Sequence, residues 1–468
     1  MKNKFFKKRN IIISLIMIFI LACIISVQNS INIQKILMSE SNLKNFEPIN
    51  KNDKILILAP HPDDEAISSS GVIQEAIKVG AKVKIVYLTN GEYNQESFLF
   101  YEKRPLILRS QFLELGKIRM SEAENAMAVL GLKKDDLIFL GYPDFGTMDI
   151  LVEHWDKNKP YSNILENISS VPYDKCLSYQ KPYIGQNILN DLESIIKDFQ
   201  PNKIIVSNPA DLNRDHQALY VYLRVALLDL KNDLKDYPKI YTYLVHARNW
   251  PIPKGLNKDY QLNVTSNIKN FGDEWINLNL NKDEIDKKEN AVNKYVSQIK
   301  YSPNFLVSFV KKNELFSIVN DISLNVNSEN NSLNNLNLKI DKNNQSNDNI
   351  SVDYYIKDKY LYINIYLERK IEKDFGISIY LLGYSDKQDF SLMPKLHIVI
   401  NLKGISVKDQ FNIIEDKDLN YHYEGNNLIL KVPLNLLNQP DYIITHIRTH
   451  SGNLIFHETA WKFLKISY

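Results

Sequence analysis

Short apolar runs alternate with amphipathic stretches through the first two thirds of the chain. Residues 55–58 are four apolar residues in a row and predict a short strand that is buried on both faces. Residues 67–79, which end at Gly80, predict a helix, and residues 83–88 predict the next strand. This strand–helix–strand order predicts a parallel pair joined by a right-handed crossover.

The alternation continues further along the chain. Helices are predicted over residues 119–130 and from 216 to about 230, and further strands over 137–140 and 203–206. The pattern predicts an α/β fold with a doubly wound, mainly parallel, Rossmann-like sheet. The intervening residues 142–183 are long, aromatic and irregular, which is typical of a functional loop. Four tyrosines there are candidate walls of a sugar-binding groove or simply pack the loop: Tyr161, Tyr173, Tyr179 and Tyr183.

The hydrophobic period changes to two after residue 351. Short runs such as 360–367, 396–402 and 443–448 are separated by polar turns, which predicts a C-terminal all-β sandwich. Residues 320–350, rich in Asn, Ser, Asp and Lys, predict a linker in front of it. Glycan binding and a packing or spacer role are both open for the sandwich.

The N-terminus carries a different pattern. Five basic residues within positions 2–9 precede the charge-free, almost wholly apolar run 11–27, which predicts a transmembrane helix. The positive-inside rule then predicts a single-pass protein of the cell membrane, tethered to the cytoplasmic membrane with its catalytic domain extracytoplasmic. Cleavage of the segment or a lipid on Cys23 are the alternatives. The predicted organisation is an anchor (1–27), a stalk (28–51), an α/β domain (52–319), a linker (320–350) and a sandwich (351–468).

Composition narrows the function further. Lysine and arginine exceed aspartate and glutamate by 57 to 55, and no long basic stripe with interleaved aromatics occurs, so we expect no nucleic-acid partner. The chain contains only two cysteines, Cys23 and Cys176, which excludes a disulfide framework. Stability must therefore come from a conventional core, which 468 residues with 44% hydrophobic content can form.

A polar cluster follows the first predicted strand. His61 and Asp64 lie three residues apart where the strand ends and a helix begins, and an imidazole with a carboxylate suits Zn²⁺. Asp63, directed elsewhere by the turn, could hold the attacking water and take its proton. The acidic residues would also serve as helix caps, although a cap does not require His61.

A second cluster repeats this layout downstream. The strand at 203–206 is followed by Asp211-Leu-Asn213-Arg-Asp-His216, and His216 begins the next helix. A histidine at this position could supply a third ligand. Two histidines and one aspartate with an open fourth position are typical of a catalytic zinc site.

These motifs resemble the PIG-L/LmbE-like family of zinc-dependent N-deacetylases. The resemblance covers roughly residues 52–318, with His-Pro-Asp-Asp-Glu at 61–65 as its most specific motif and Asp211-x-Asn-x-Asp-His216 as the second. Lesser matches follow in the family's order: Thr89-Asn-Gly91, Arg119-x-x-Glu122, Leu140-Gly-Tyr-Pro-Asp144, Tyr243-Leu-Val-His246 and Tyr295-x-Ser-Gln298.

The resemblance assigns roles by position. His61, Asp64 and His216 are the implied zinc ligands, and Asp63 is the implied general base. Substrate contacts are expected of three residues: Arg119, Glu122 and Asp144. Many relatives have histidine where this chain has Asn213, so either Asn213 donates a hydrogen bond to the substrate carbonyl or His246 supplies that role; alternatively, His246 only packs against Trp250.

The sequence therefore predicts a zinc-dependent hydrolase that removes the N-acetyl group from an N-acetylhexosamine-containing glycan or glycoconjugate. Two other functions stay open. One is a catalytically silent glycan-binding surface protein on the same scaffold. The other is an amidase acting on a small amino-sugar conjugate.

Overall fold

The computed structural model describes residues 43–94, 109–163, 167–326, 350–367, 375–452 and 454–467. Within these ranges the chain forms one large mixed α/β unit followed by two β-sheets that face each other.

Eight strands build the sheet of the α/β unit. They are β1 (Lys44–Asn45), β2 (Lys54–Ala59), β3 (Lys82–Thr89), β4 (Leu137–Tyr142), β5 (Lys203–Ser207), β6 (Lys239–Tyr243), β7 (Glu274–Asn279) and β8 (Asn313–Ile318). Their order across the sheet is β1-β7-β8-β6-β5-β2-β3-β4. The five strands from β6 to β4 are parallel to one another, whereas β8 runs antiparallel to both of its neighbours.

Seven α-helices belong to the described residues, and all of them lie in the α/β unit. They are α1 (Asp64–Val79), α2 (Arg109–Leu130), α3 (Thr147–Glu153), α4 (Gly185–Phe199), α5 (Arg214–Asp229), α6 (Lys282–Val292) and α7 (Val296–Tyr301). Helix α1 ends where Gly80 adopts a left-handed conformation, with φ of 77°, which glycine tolerates without steric cost.

The order of the strands in the sheet changes direction between β2 and β5. Strands β3 and β4 extend the sheet on one side of β2, and β5 and β6 extend it on the other. Open α/β sheets bind ligands outside the carboxyl ends of the strands at such a switch point. The two polar clusters of the sequence follow β2 and β5, so this topology brings them together.

The C-terminal part is entirely β. One sheet contains β10 (Ser351–Lys357), β11 (Tyr360–Tyr366), β17 (Asn427–Pro433) and β16 (Asn420–Glu424). The other contains β15 (Asn412–Ile413), β14 (Gly404–Asp409), β13 (Lys395–Asn401), β12 (Gly376–Tyr384), β18 (Tyr442–Ser451), β20 (Lys462–Ser467) and β9 (Ile322–Asn325), with β19 (Leu454–Glu458) paired to β18.

Two hydrophobic cores stabilise the molecule. Alternate residues of β11, such as Leu361, Ile363 and Ile365, are fully buried in the core between the two β-sheets. The larger core lies around the eight-stranded sheet and also includes Trp461 and Phe463 of the C-terminal part. The β-sandwich therefore packs directly on the α/β unit.

The predicted stalk and linker can be described only in part. Of the stalk, residues 43–51 contain β1, which pairs with β7, and the buried side chains of Phe46 and Ile49. Of the linker, residues 322–325 form β9, which pairs with β20 in parallel. The remaining residues of the stalk and most of the linker lie outside the described ranges.

The prediction of a transmembrane helix is not supported by the part of the chain that the structure describes. None of its helices is both long enough and apolar enough to cross a membrane. The longest, α2, has 22 residues but is interrupted by charged side chains such as Glu114, Lys117 and Glu124, because one face packs inward while the other meets water. The predicted helix itself, in residues 1–27, lies outside the described residues. The fold class is corrected to mixed α/β with a β-sandwich, and the attachment to the cytoplasmic membrane and the extracytoplasmic location are withdrawn.

Candidate metal centre and active site

The turn after β2 has an unusual backbone. Asp63 has φ of 128°, a conformation that residues other than glycine rarely adopt, and its side chain makes no capping hydrogen bond to α1. Its backbone N–H instead donates to Glu65 Oε2 at 3.1 Å, and His61 N donates to Asp64 Oδ2 at 3.0 Å. The capping interpretation therefore does not explain Asp63. Such backbone outliers concentrate at active sites and binding sites.

Three buried side chains from the two clusters converge. Asp64 Oδ2 lies 3.3 Å from His61 Nδ1 and 3.2 Å from His216 Nε2. Their potential ligand atoms lie within 4.8 Å of one another. His216 Nε2 is buried and makes no hydrogen bond within the described part of the chain. Because two imidazoles and a carboxylate are zinc ligands, and because the buried His216 Nε2 contacts the Asp64 carboxylate without hydrogen-bond geometry, these residues fit a bound metal ion.

Carboxylates surround both imidazoles on their far sides. His61 Nε2 lies 3.1 Å from Asp144 Oδ1 and 3.4 Å from Asp215 Oδ2, and His216 Nδ1 lies 3.4 Å from Asp211 Oδ2. Metal-binding histidines commonly have such partners, which fix the ring orientation and the tautomer.

The same carboxylates dominate the electrostatics of the two rings. Burial alone would lower the pKa of His61, but the surrounding carboxylates, chiefly Asp144, raise it well above its usual range. Burial likewise opposes a raised pKa at His216, yet Asp211 and Asp64 raise that pKa to about 9. The site is therefore strongly attractive to positive charge.

Arg119 holds the Asp63 turn in place. Its guanidinium donates to Pro62 O at 2.7 Å, to Gly91 O at 2.9 Å and to Asp63 Oδ2 at 3.0 Å. Gly91 permits this approach, since a Cβ there would lie 1.9 Å from Arg119 Nη1. Burial raises the pKa of Asp63 to about 7, against the opposing effect of Arg119. These three hydrogen bonds direct Arg119 at the protein itself, and its predicted substrate contact stays a prediction.

The other two predicted substrate-binding residues lie in different places. Glu122 accepts hydrogen bonds from the backbone and the hydroxyl of Ser297, each at 2.7 Å, and does not line the cavity that contains His61. Asp144 does line that cavity, beside His61, and accepts from Tyr93 N at 3.0 Å. The structure therefore brings Asp144 to the site and gives Glu122 a contact with the start of α7.

A cavity of about 530 Å³ opens beside the candidate metal ligands, and His61 and Asp64 line it. Its polar lining includes Asp63, Arg119, Asn213 and His246. Its aromatic lining consists of Tyr93, Phe145, Tyr301 and Phe305. Phe145 is 57% exposed and has φ of 58°, and its N–H donates to Asp215 Oδ2 at 2.7 Å. The cavity thus combines two of the candidate metal ligands with aromatic walls.

Asn213 and His246 both reach this cavity. Asn213 caps α5, since its Oδ1 accepts from Asp215 N at 2.9 Å, which leaves its amide N–H groups as the possible donors. The ring centroid of His246 lies 4.9 Å from that of His216 and 5.7 Å from that of Phe305, with which it stacks. Burial lowers the pKa of His246 to about 4, so the ring is neutral at pH 7. Which of the two acts on the substrate stays a prediction.

Several residues of the site were not singled out from the sequence. Asp211 and Asp215 stand inside the second motif, where their closeness to His216 was the available signal. Phe145 and Phe305 carry no motif, so the sequence offers no signal for them. None of the four tyrosines considered as groove walls lines the cavity: Tyr173 and Tyr183 are buried in the core, and Tyr161 and Tyr179 lie elsewhere.

Comparison with known proteins identifies the domain that contains this site. Residues 56–227 match the model of the PIG-L family, described as GlcNAc-PI de-N-acetylase. The chain is similar to 1D-myo-inositol 2-acetamido-2-deoxy-alpha-D-glucopyranoside deacetylases of two Mycobacterium strains. For strain JLS the identity is 23%, over 60% of this chain and 83% of the relative. For strain KMS it is 31%, over 28% of this chain and 40% of the relative.

A solved structure is also similar to part of this chain. N,N'-diacetylchitobiose deacetylase from Pyrococcus horikoshii is 18% identical, with a TM-score of 0.32, over 58% of this chain and 79% of that chain. The match to the family model includes β2, α1, β5 and most of α5, which contribute both polar clusters. The resemblance that the motifs indicate is confirmed, since residues 56–227 match the PIG-L family model and the chain is similar to mycobacterial deacetylases.

Proposed function

We propose that this chain is a zinc-dependent N-deacetylase that hydrolyses the acetamide of an N-acetylhexosamine-containing glycan or glycoconjugate. The observation that carries the proposal is the convergence of His61, Asp64 and His216 beside a cavity that Asp63 also lines. The family supports the reaction class, and the mycobacterial relatives are named for the deacetylation of an acetamido sugar.

The metal-binding set is open on the cavity side. His61 Nδ1, Asp64 and His216 Nε2 would hold the zinc ion, with Asp144, Asp215 and Asp211 orienting the two imidazoles. Zinc bound there would lower the pKa of a water molecule and polarise the amide carbonyl. Three protein ligands leave a coordination position for these oxygens, which distinguishes a catalytic zinc site from a structural one.

Asp63 is the proposed general base. It lies beside the ligands without being one of them, and its strained backbone and its contact with Arg119 hold its carboxylate at the cavity wall. A base is most effective when its pKa is close to the working pH, and burial brings the pKa of Asp63 to about 7. Asp63 would accept the proton of the attacking water and then return it to the departing amine.

His246 is the proposed donor to the developing oxyanion. Its ring is adjacent to His216 and neutral at pH 7, so one N–H is available as a hydrogen-bond donor but the ring is a poor source of a full proton. A fixed donor of this kind stabilises charge that develops only in the transition state. The amide N–H of Asn213 is the alternative donor on the same cavity wall.

The aromatic walls favour a sugar over a small charged substrate. Phe145, Tyr93 and Phe305 present flat apolar surfaces, while the candidate metal ligands and Arg119 are polar. Pyranose rings have apolar C–H faces and polar edges, so this division suits them. Ligand cavities with mainly apolar walls and a few placed polar groups are the common form for organic ligands.

The decisive experiment measures acetate release. The full-length chain, loaded with zinc, is incubated with N-acetylglucosamine oligomers, and Asp63→Asn serves as the matched control because it keeps the proposed ligands. Acetate from the wild type only would support the proposal. Oligomer binding without acetate release would favour the silent glycan-binding protein, and release only from small amino-sugar conjugates would favour the amidase.

A further inference from the structure

The β-sandwich contacts the turn that carries the second polar cluster. Trp461, which directly precedes β20, is 1% exposed. Its backbone N–H donates to Pro209 O at 3.2 Å, and its indole Nε1 donates to Gln217 Oε1 at 3.2 Å. A single sandwich residue thus contacts the chain on both sides of the segment from Asp211 to His216.

Gln217 connects this contact to the proposed metal centre. Its Nε2 donates to Asp211 O at 2.7 Å, while its Oε1 accepts from Trp461. Asp211 Oδ2 lies 3.4 Å from His216 Nδ1 and accepts from His246 N at 2.9 Å. A displacement of Gln217 would therefore move the carboxylate that orients both the proposed ligand His216 and the proposed donor His246.

The sandwich holds Trp461 firmly. The ring of His446, in β18, stacks on the Trp461 indole with centroids 5.0 Å apart and an interplanar angle of 13°. The ring centroid of Tyr380, in β12, lies 5.9 Å from that of Trp461. The Tyr380 hydroxyl accepts a hydrogen bond from Arg448 Nη2 at 2.8 Å. Aromatic packing of this kind restricts the indole to one orientation, so its N–H is pre-oriented towards Gln217.

We propose that Trp461 is a positioning residue and that the β-sandwich, through Trp461 and Gln217, fixes the Asp211–His216 turn of the metal centre. The inference rests on the proposed metal centre but not on the identity of the substrate. It assigns the sandwich a part in the active site, in addition to any packing or glycan-binding role. Groups that orient metal ligands typically change metal affinity or activity by about 10–100-fold when they are altered.

The test compares two tryptophan substitutions in the full-length chain. Trp461→Phe keeps an aromatic ring against His446 but removes the N–H that donates to Gln217. Trp275→Phe is the matched control. Trp275 is also buried, and its indole Nε1 also donates a hydrogen bond, to Lys269 O at 3.1 Å. Trp275 and Lys269 both lie in the α/β unit, away from the proposed metal ligands. Zinc affinity is measured by competition with a chelator, and thermal unfolding is recorded for both variants.

We expect Trp461→Phe to weaken zinc binding by about 10-fold, the lower end of the range for groups around metal ligands, because Trp461 acts through two intermediates. Trp275→Phe should lower thermal stability to a similar degree and leave zinc affinity unchanged. Equal zinc affinities for both variants and the wild type would overturn the inference. Equal weakening by both substitutions would also overturn it, since it would reflect a general loss of stability.

A second variant tests the route and covers the case in which Trp461→Phe does not fold. Gln217→Met keeps the side-chain length but removes both hydrogen bonds, so it should weaken zinc binding at least as much. In the double variant, Trp461→Phe should weaken zinc binding little beyond the effect of Gln217→Met. The effects of two substitutions on the same series of hydrogen bonds are not additive. Full additivity would overturn the route through Gln217. A wild-type chain without zinc affinity would instead contradict the proposed function.

Discussion

The two polar clusters that supply the proposed metal ligands share the same order of strand, turn and helix, but different parts of the molecule hold them in place. Each follows a buried parallel strand and opens a helix, at adjacent strands β2 and β5. The cluster of residues 61–65 is held by buried charged groups of its own domain, above all Arg119. The cluster of residues 211–216 is held by backbone hydrogen bonds to Asp211 and by the β-sandwich through Trp461.

This difference suggests that Asp63 in the first cluster serves the chemical step, whereas Asp211 in the second serves the positioning of a metal ligand. The first cluster contains the residue proposed to move a proton, and its surroundings adjust the pKa of that residue. The second contains the proposed ligand His216 and its orienting carboxylate Asp211, and its surroundings fix the positions of both. We therefore expect substitution of Asp63 to act on kcat and substitution of Asp211 to act on metal affinity.

The largest effect is expected from Asp63→Asn. The amide cannot accept the proton of the attacking water, so kcat should fall by about 10²–10⁴-fold, the usual contribution of a general base. Zinc content should stay equal to that of the wild type. Loss of zinc in this variant would identify Asp63 as a ligand and remove the distinction between the two clusters.

His246→Ala should have the next largest effect. Loss of one oxyanion donor raises the barrier by about 2.7–4 kcal/mol, and because the donor acts in the transition state, kcat should fall more than KM rises. Asn213→Ala should cost less. His422→Ala, at an exposed position of β16, is the control. Near-normal kcat with lower thermal stability in His246→Gln would leave His246 a packing role only.

Asp211→Asn tests the second cluster. The neutral amide keeps most of the shape but loses the negative charge beside His216, so zinc affinity should fall by about 10–100-fold while kcat at saturating zinc changes less. Asp53→Asn is the matched control, since Asp53 is also a buried carboxylate and pairs with Lys203 at 2.7 Å away from the site. Unchanged zinc affinity in Asp211→Asn would mean that this carboxylate does not orient the ligand.

The smallest effect is expected at the cavity wall. Phe145→Ala removes an apolar surface that we expect to contact substrate and transition state alike, so KM for N-acetylglucosamine oligomers should rise several-fold with kcat nearly unchanged. Phe411→Ala, an exposed phenylalanine of the sandwich outside the cavity, should leave KM unaltered. A fall in kcat at constant KM would instead indicate that Phe145 acts through Asp215.

The sequence was most informative where local pattern and chemistry coincide. The strand at 55–58 lies within β2, the helix at 67–79 within α1, and the histidines 61 and 216 converge because both follow parallel strands of one sheet. A motif at the end of a strand has a predictable direction, since the carboxyl ends of parallel strands meet at the same edge.

Contacts between distant segments could not be predicted in this way. Glu122 meets Ser297 across 175 residues, and Trp461 meets Gln217 across 244. Such pairings depend on how whole elements pack, and neither partner carries a pattern that names the other. The left-handed backbone conformation of Phe145 could not be predicted from the sequence either. Bulky residues rarely adopt this conformation, and the accompanying hydrogen bond from Phe145 N to Asp215 joins residues that are distant in the sequence.

The proposed metal centre is tested by His216→Ala. Zinc is measured by elemental analysis of the purified full-length wild type and the variant, alongside acetate release. We expect about one zinc ion per wild-type chain, and loss of both zinc and activity in His216→Ala, because a three-ligand site loses a buried imidazole. Full zinc occupancy in His216→Ala would contradict the assignment of His61, Asp64 and His216 as the ligands.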